Sequence, residues 1–286
     1  MKVVINMKQI RNQIFDEERA LYNLEDSLLT DVKFRGPRDG ESCLKEARNI
    51  IVDNTLFDLR YPMWHVLNFR LADSNFSSNA RAPIWYSTNG EILNIVLNAI
   101  KGIRECTNIK IADSTIFSNE FGWKCDNISV KNSNLESEYV FLDSKNIHLN
   151  NVNFIGKYSF QYVKDAGIVN SNLYTKDAFW HSENVTVRDS YLQGEYLGWY
   201  SKNLTLINCK INGHQPLCYA ENLTLIDCEF ENSDLAFEKS DVNGNVYGDI
   251  TSIKSPKSGK LIVKGKTDII KEHELGESKF EIIFEE

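Results

Sequence analysis

Lys176, Asp177 and Glu195 are the residues of this chain whose types and spacing could do chemistry. Their places in the repeat described below put them within about two strand spacings of one another. Two carboxyl groups at roughly 5 to 9 Å suit glycoside hydrolysis, one as acid and one as base or nucleophile. Lys157 stacks on Lys176 in the same reading, and crowded lysines lower one pKa, which suits proton abstraction beside a uronate carboxylate. The three residues are the catalytic set only if the protein is an enzyme. Lys176 would be the base of a lyase; Asp177 and Glu195 would be the pair of a hydrolase. The same residues also read as a solvated turn whose alternating charges pair vertically, each pair worth little.

Beside this turn runs an aromatic column. All five tryptophans, Trp64, Trp85, Trp123, Trp180 and Trp199, share one repeat coordinate, Trp85 after a slip. The adjacent column, with Met63, Ile84, Phe160 and Phe179, is apolar or small. Strand residues alternate sides, so the apolar column faces in and the tryptophans face out. Trp123, Tyr158, Trp180, His181, Tyr196 and Trp199 would then form a ligand-binding platform for sugar rings. The alternative is packing, in the core, under a terminal segment or in a homo-oligomer contact through the aromatic face.

The elements that position these residues come from a 19-residue period: Gly90, Ile109, Ile128, Ile147, Ala166, Val185, Leu204 and Leu223, each preceded by Asn or Asp. A period of about 20 residues marks a stacked-repeat architecture. Apolar residues two apart, as in Ile128 and Val130, are strand signals. The fold class expected is all-β, a single-stranded right-handed parallel β-helix of about twelve coils at strand spacing. The Asn column belongs at a bend in the left-handed conformation, its amides bonding along the stack. A second such column contains Asp113, Asn132, Asp189 and Asn208, followed by an inward Ser/Cys column.

One domain, 1–286, is expected. Residues 1–21 are read as an N-terminal cap, a helix over 10–21 after a strand at 3–5. Coils fill 22–249, and strands in 250–286 form a C-terminal cap. Tyr22, Leu24, Asp26, Ser27 and Leu29 read as a weak first copy, and 34–45 as the larger of two inserts.

The net charge of −8 argues against nucleic-acid binding. No stretch is apolar enough to span a membrane, and no signal peptide is visible, so a cytoplasmic home is expected. The six cysteines lack metal or redox spacing. Cys106 with Cys125, and Cys209 with Cys228, sit one repeat apart, and reduced thiols filling the interior are expected. No metal or cofactor is implied.

The strings GPRDGESCLKE, NEFGWKCDN, TKDAFWHSENVTV, GEYLGWYS and GHQPLCYAENLTL resemble domain-of-unknown-function family 3737 from about residue 18 to 270. That resemblance implies a pectin-lyase-like β-helix and no established catalytic set. The polygalacturonase signatures are missing; Gly213-His214-Gln215 is a partial echo. The uninterrupted repeat from Gly90 to Val242 provides no loops to wall a cleft, which suits binding better than catalysis. Carbohydrate or glycoconjugate binding along the aromatic face is therefore the leading expectation. A polysaccharide lyase or glycoside hydrolase, and a structural oligomer, are the alternatives.

Overall fold

The computed structural model describes residues 7–272 and 278–285. The chain divides into two compact units, Met1–Ser137 and Glu138–Glu286. Each is a parallel β-solenoid with no α-helix among its described residues.

In the first unit, strands Lys8–Arg11, Glu25–Thr30, Arg48–Asp53, Leu67–Ala72, Thr88–Leu93, Thr107–Ala112 and Asp126–Ser137 stack in parallel, each beside the next. Their inward residues, Ile50, Val52, Leu71, Ile109, Ile111 and Ile128, are buried. A second stack begins at Ile14–Phe15 and carries Phe34, Phe57 and Phe76 inward. Those rings lie nearly parallel, with centroids 5.3 Å and 4.5 Å apart. The bends are as expected. Asn89, Asn108 and Asn127 all have φ 57°. The Asn108 amide donates to Asn89 Oδ1 at 2.9 Å, and that of Asn127 to Asn108 Oδ1 at 2.7 Å. At the next bend the Ser114 backbone N–H donates to Ser133 Oγ, so the inward serines form a polar ladder inside an apolar wall.

The second unit repeats the arrangement. Strands Lys164–Val169, Glu183–Arg188 and Thr205–Ile207 stack in parallel between Lys145–Lys157 and Leu223–Asp234. Asn172–Lys176, Tyr191–Gln193 and Lys210–His214 form the neighbouring face. The amides of Asn184, Asn203 and Asn222 donate to Asp165, Asn184 and Asn203 of the preceding coil at 2.8 to 3.0 Å. Phe141, Phe160 and Phe179 stack inside at 5.9 Å and 5.2 Å.

The ends differ from expectation. Residues 10–21 contain no helix; Lys8–Arg11 and Ile14–Phe15 are strands paired to the next coil. The spacing of Ile10, Ile14 and Leu21 imitates a helical face, but Asn12 (φ 54°) is a solenoid bend between two strands. The strand expected at 3–5 lies outside the described residues. The true early copy is Ser27, Leu29 and Phe34, which pair with Ile50, Val52 and Phe57; the reading from Tyr22 to Leu29 was out of register. The 34–45 segment therefore adds only four residues to its coil, folded into turns against 16–19. At the other end Asp241–Ile250, Ser258–Lys264 and Lys279–Glu285 continue the parallel stack after the sequence repeat has faded.

Removing the middle ring of the Phe34–Phe57–Phe76 stack should be costly. Phe57→Ala is expected to lose about 3–5 kcal/mol in urea unfolding, whereas Lys110→Ala on the outer face should stay within about 0.5 kcal/mol. A loss below about 1 kcal/mol for Phe57→Ala would show that the stack can collapse around the gap.

Candidate functional site

Trp123 lies in the first unit and the other expected site residues in the second. In the first unit, Trp64 and Trp85 stack with centroids 5.1 Å apart and planes parallel. The Arg104 guanidinium sits 4.7 Å from the Trp85 ring and 4.6 Å from the Trp123 ring, a cation held between two indoles. Glu120 accepts a hydrogen bond from Arg104 at 2.6 Å. Trp64 and Trp85 donate their indole N–H groups to the carbonyls of Ala82 and Lys101.

The second unit uses the same device. Trp180 and Trp199 stack at 5.6 Å with planes 3° apart, and donate to the Tyr196 and Gln215 carbonyls. The apolar column beside them is buried, as expected, but the tryptophans are half-buried rather than fully outward. Their faces cover one another and their N–H groups are spent on backbone, so they show solvent mainly edges. The column is buried at its end: Cys218 is fully buried, and the register shift at His214 and Asp234 puts the buried Glu238, not Phe237 as the period suggests, in the next position.

One residue further along each coil is an aromatic row that the sequence reading missed. Tyr162, His181, Tyr200 and Tyr219 stack successively at 5.1, 5.0 and 5.0 Å, with planes within 16°. Of this row only His181 was anticipated. Tyr162 and Tyr200 are 50% and 41% exposed. Counting the period from His181 finds all four; the tryptophans in the preceding column drew attention away from them.

The turn before Trp180 is built from vertical pairs. Lys157 Nζ lies 3.7 Å from Glu138, Lys176 Nζ 2.7 Å from Glu195, and His214 Nδ1 2.7 Å from Asp234. His214 and Asp234 meet at a register shift that adds one residue to the coil. The hydrogen bond to Glu195 pushes the Lys176 pKa up, opposite to the lowering expected from a stacked lysine. The same bond holds the Glu195 carboxyl below its ordinary value. Asp177 is only 7% exposed, and burial raises its carboxyl pKa, with Lys176 opposing and Glu195 adding to the rise. Tyr158 and Tyr196 occupy the equivalent positions one coil before and after Asp177, all three with positive φ. The Tyr139 ring stacks on Tyr158 at 5.0 Å, and Lys176 Nζ lies 5.3 Å from the Tyr196 centroid.

All six cysteines are free and buried, and burial pushes the Cys218 and Cys228 thiols up to about 12. Among the described residues no three His, Cys, Asp or Glu side chains gather to hold a metal ion, and no helix is long and apolar enough to cross a membrane.

The chain belongs to a family described as protein of unknown function (DUF3737), whose profile matches residues 8–283. No match was found among curated proteins. Among solved structures it is similar to a tailspike protein of E. coli bacteriophage HK620 in complex with a hexasaccharide, at 12% identity and TM-score 0.44, covering 92% of this chain and 60% of that one. It is also similar to PfbA, a surface adhesin of Streptococcus pneumoniae, at 11% identity and TM-score 0.38, covering 98% and 85%. A third is the A-module of the mannuronan C-5 epimerase AlgE4 of Azotobacter vinelandii, at 12% identity and TM-score 0.25, covering 93% and 73%. The chain thus spans 60% of the length of the tailspike chain.

The raised Asp177 carboxyl has a consequence for stability. A folded-state pKa above the unfolded value means that the folded state binds the extra proton, so stability falls as pH rises from the unfolded value through the folded one. Asp177→Asn removes that penalty. Relative to the parent, the variant should gain stability between acid and neutral pH, as measured by denaturant midpoints. An equal difference at pH 3.5 and pH 7 would contradict the assignment.

Proposed function

We propose that this member of the DUF3737 family binds carbohydrate along the aromatic side of its second unit. The observation that carries the reading is the exposed row Tyr162–His181–Tyr200–Tyr219 beside Trp180 and Trp199. Stacked rings offer apolar edges with a phenol hydroxyl or an imidazole nitrogen at every coil. A saccharide chain, which alternates C–H surface with hydroxyls, complements that pattern. The charged turn holding Tyr158, Lys176, Glu195 and Tyr196 adds polar groups at its margin. A cytoplasmic setting agrees with six buried thiols kept reduced, and the net charge of −8 disfavours nucleic acid.

Titration of an oligosaccharide panel, followed by tryptophan fluorescence, tests this. His181→Ala/Tyr200→Ala should weaken binding at least about tenfold, about 1.4 kcal/mol. Binding equal to the parent's, or a row found buried in a dimer by light scattering, would refute it.

A second reading, glycoside hydrolysis, is favoured by one observation. Asp177 and Glu195 have pKa values displaced in opposite directions, up and down. Paired carboxyls shifted apart assign an acid and a base. New reducing ends from a bound glycan, lost in both Asp177→Asn and Glu195→Gln, would support it. Bound glycans that stay intact over long incubation would exclude it.

A further inference from the structure

The sheet that leads into the charged turn of the second unit has an outer face of its own. On Asn172–Lys176, Tyr191–Gln193 and Lys210–His214, alternate residues Leu173, Leu192 and Ile211 are buried, and those between them point out. Tyr174, Gln193 and Asn212 form one outward column across three coils, and Asn172, Tyr191 and Lys210 another. Lys176, Glu195 and His214 close the face along the turn.

Two features set this face apart from the aromatic rows. The first is ring orientation. Tyr174 and Tyr191 meet at 69° with centroids 5.7 Å apart, and neither has a parallel partner among the described residues. Tyr174 is 44% exposed. A T-shaped pair leaves ring faces open, whereas the parallel rows hide theirs. The second is fixed polarity. The Tyr191 hydroxyl donates to Gln193 Oε1 at 3.1 Å, and the Asn212 amide reaches Tyr191 Oη and Glu231 Oε2, both at 3.4 Å. Gln193 thereby presents its amide N–H groups beside Tyr174 with no protein acceptor among the described residues.

The face carries an excess of negative charge, because Lys210 answers two glutamates and Asp234 has only His214 beside it among the described residues. Lys157 is paired with Glu138, Lys176 with Glu195, Lys210 with Glu229 and Glu231, and His214 with Asp234. A surface with carboxylate in excess repels an anionic sugar. An open ring face with fixed amide donors and acceptors selects hydroxyls and C–H surface instead.

We propose that this face, centred on Tyr174 with Gln193, Asn212 and Tyr191 around it, is the binding site for an uncharged oligosaccharide lying across the coils. This rests on the reading above that the second unit binds glycan, moves the principal contact from the stacked row to the face around Tyr174, and names the sugar class.

Isothermal titration of neutral gluco-, manno-, galacto- and xylo-oligosaccharides, with oligouronates in parallel, tests it. Binding of a neutral chain is expected, with little change between 50 and 500 mM salt. Tyr174→Ala should weaken it at least tenfold and Gln193→Ala severalfold, while Tyr174→Phe keeps the ring and the affinity. Tyr174 is exposed, and unchanged melting midpoints would exclude an unfolding artefact. If a glycan binds and His181→Ala/Tyr200→Ala abolishes it while Tyr174→Ala does not, this inference fails and the broader reading stands. Oligouronates binding in place of neutral chains would also overturn it. If no glycan of either kind binds, both fall.

Discussion

Each unit hangs on an asparagine side chain bonded to its own equivalent one coil away. The bend it occupies needs a positive φ, which most residues resist and Asn or Asp accept. The amide then supplies a donor to the coil on one side and an acceptor to the coil on the other, as Asn108 does between Asn89 and Asn127. That linkage sets the vertical register. Once it is set, every strand on either side of the bend stacks like on like, and the parallel pairing of the sheets follows.

The same register explains why the candidate surface looks as it does. Rings at equivalent positions have to stack, because the coil spacing is close to the thickness at which aromatic faces meet. Tyr162, His181, Tyr200 and Tyr219 therefore line up as rungs. Like charges at equivalent positions repel, and the turn offsets its one such contact, Lys157 beside Lys176, by pairing Lys157 with Glu138 and Lys176 with Glu195. A solenoid thus tends to hide its aromatic faces and to cancel its charges. Tyr174 and Tyr191 depart from that tendency, because they sit diagonally in neighbouring coils instead of in one column.

Much of this was legible in the residues. The bends, the inward columns and the strand alternation between Gly90 and Val242 follow from the period, and the left-handed Asn positions were recovered one by one. The ends were not legible. Ile10, Ile14 and Leu21 satisfy a helical spacing as well as two short strands around Asn12, and only pairing with the next coil decides between them. The early copy was misplaced because Tyr22 and Leu24 offer the same alternation as Ser27 and Leu29, whereas burial favours the latter. At the site, column membership was readable but ring tilt and ionisation were not. Whether Trp180 shows a face or an edge depends on its hydrogen bond to the Tyr196 carbonyl. Whether Lys176 is depressed depends on Glu195 reaching it before Lys157 can repel it.

Because each residue's vertical neighbour is its own counterpart, 19 positions away through most of the repeat, length changes in this fold are quantised. Excising one whole period rejoins every column to its like: with the coil of Val185 removed, Ala166 would stack on Leu204 as it now does on Val185, and the amide ladder would close again. Excising one residue fewer shifts all later side chains by one position, turning the inward set out. Members of such a family are then free to differ by entire coils, while single-residue insertions are confined to the corners. The turn at Ser78–Ala80 and the segment over 34–45 show where the extra residues go.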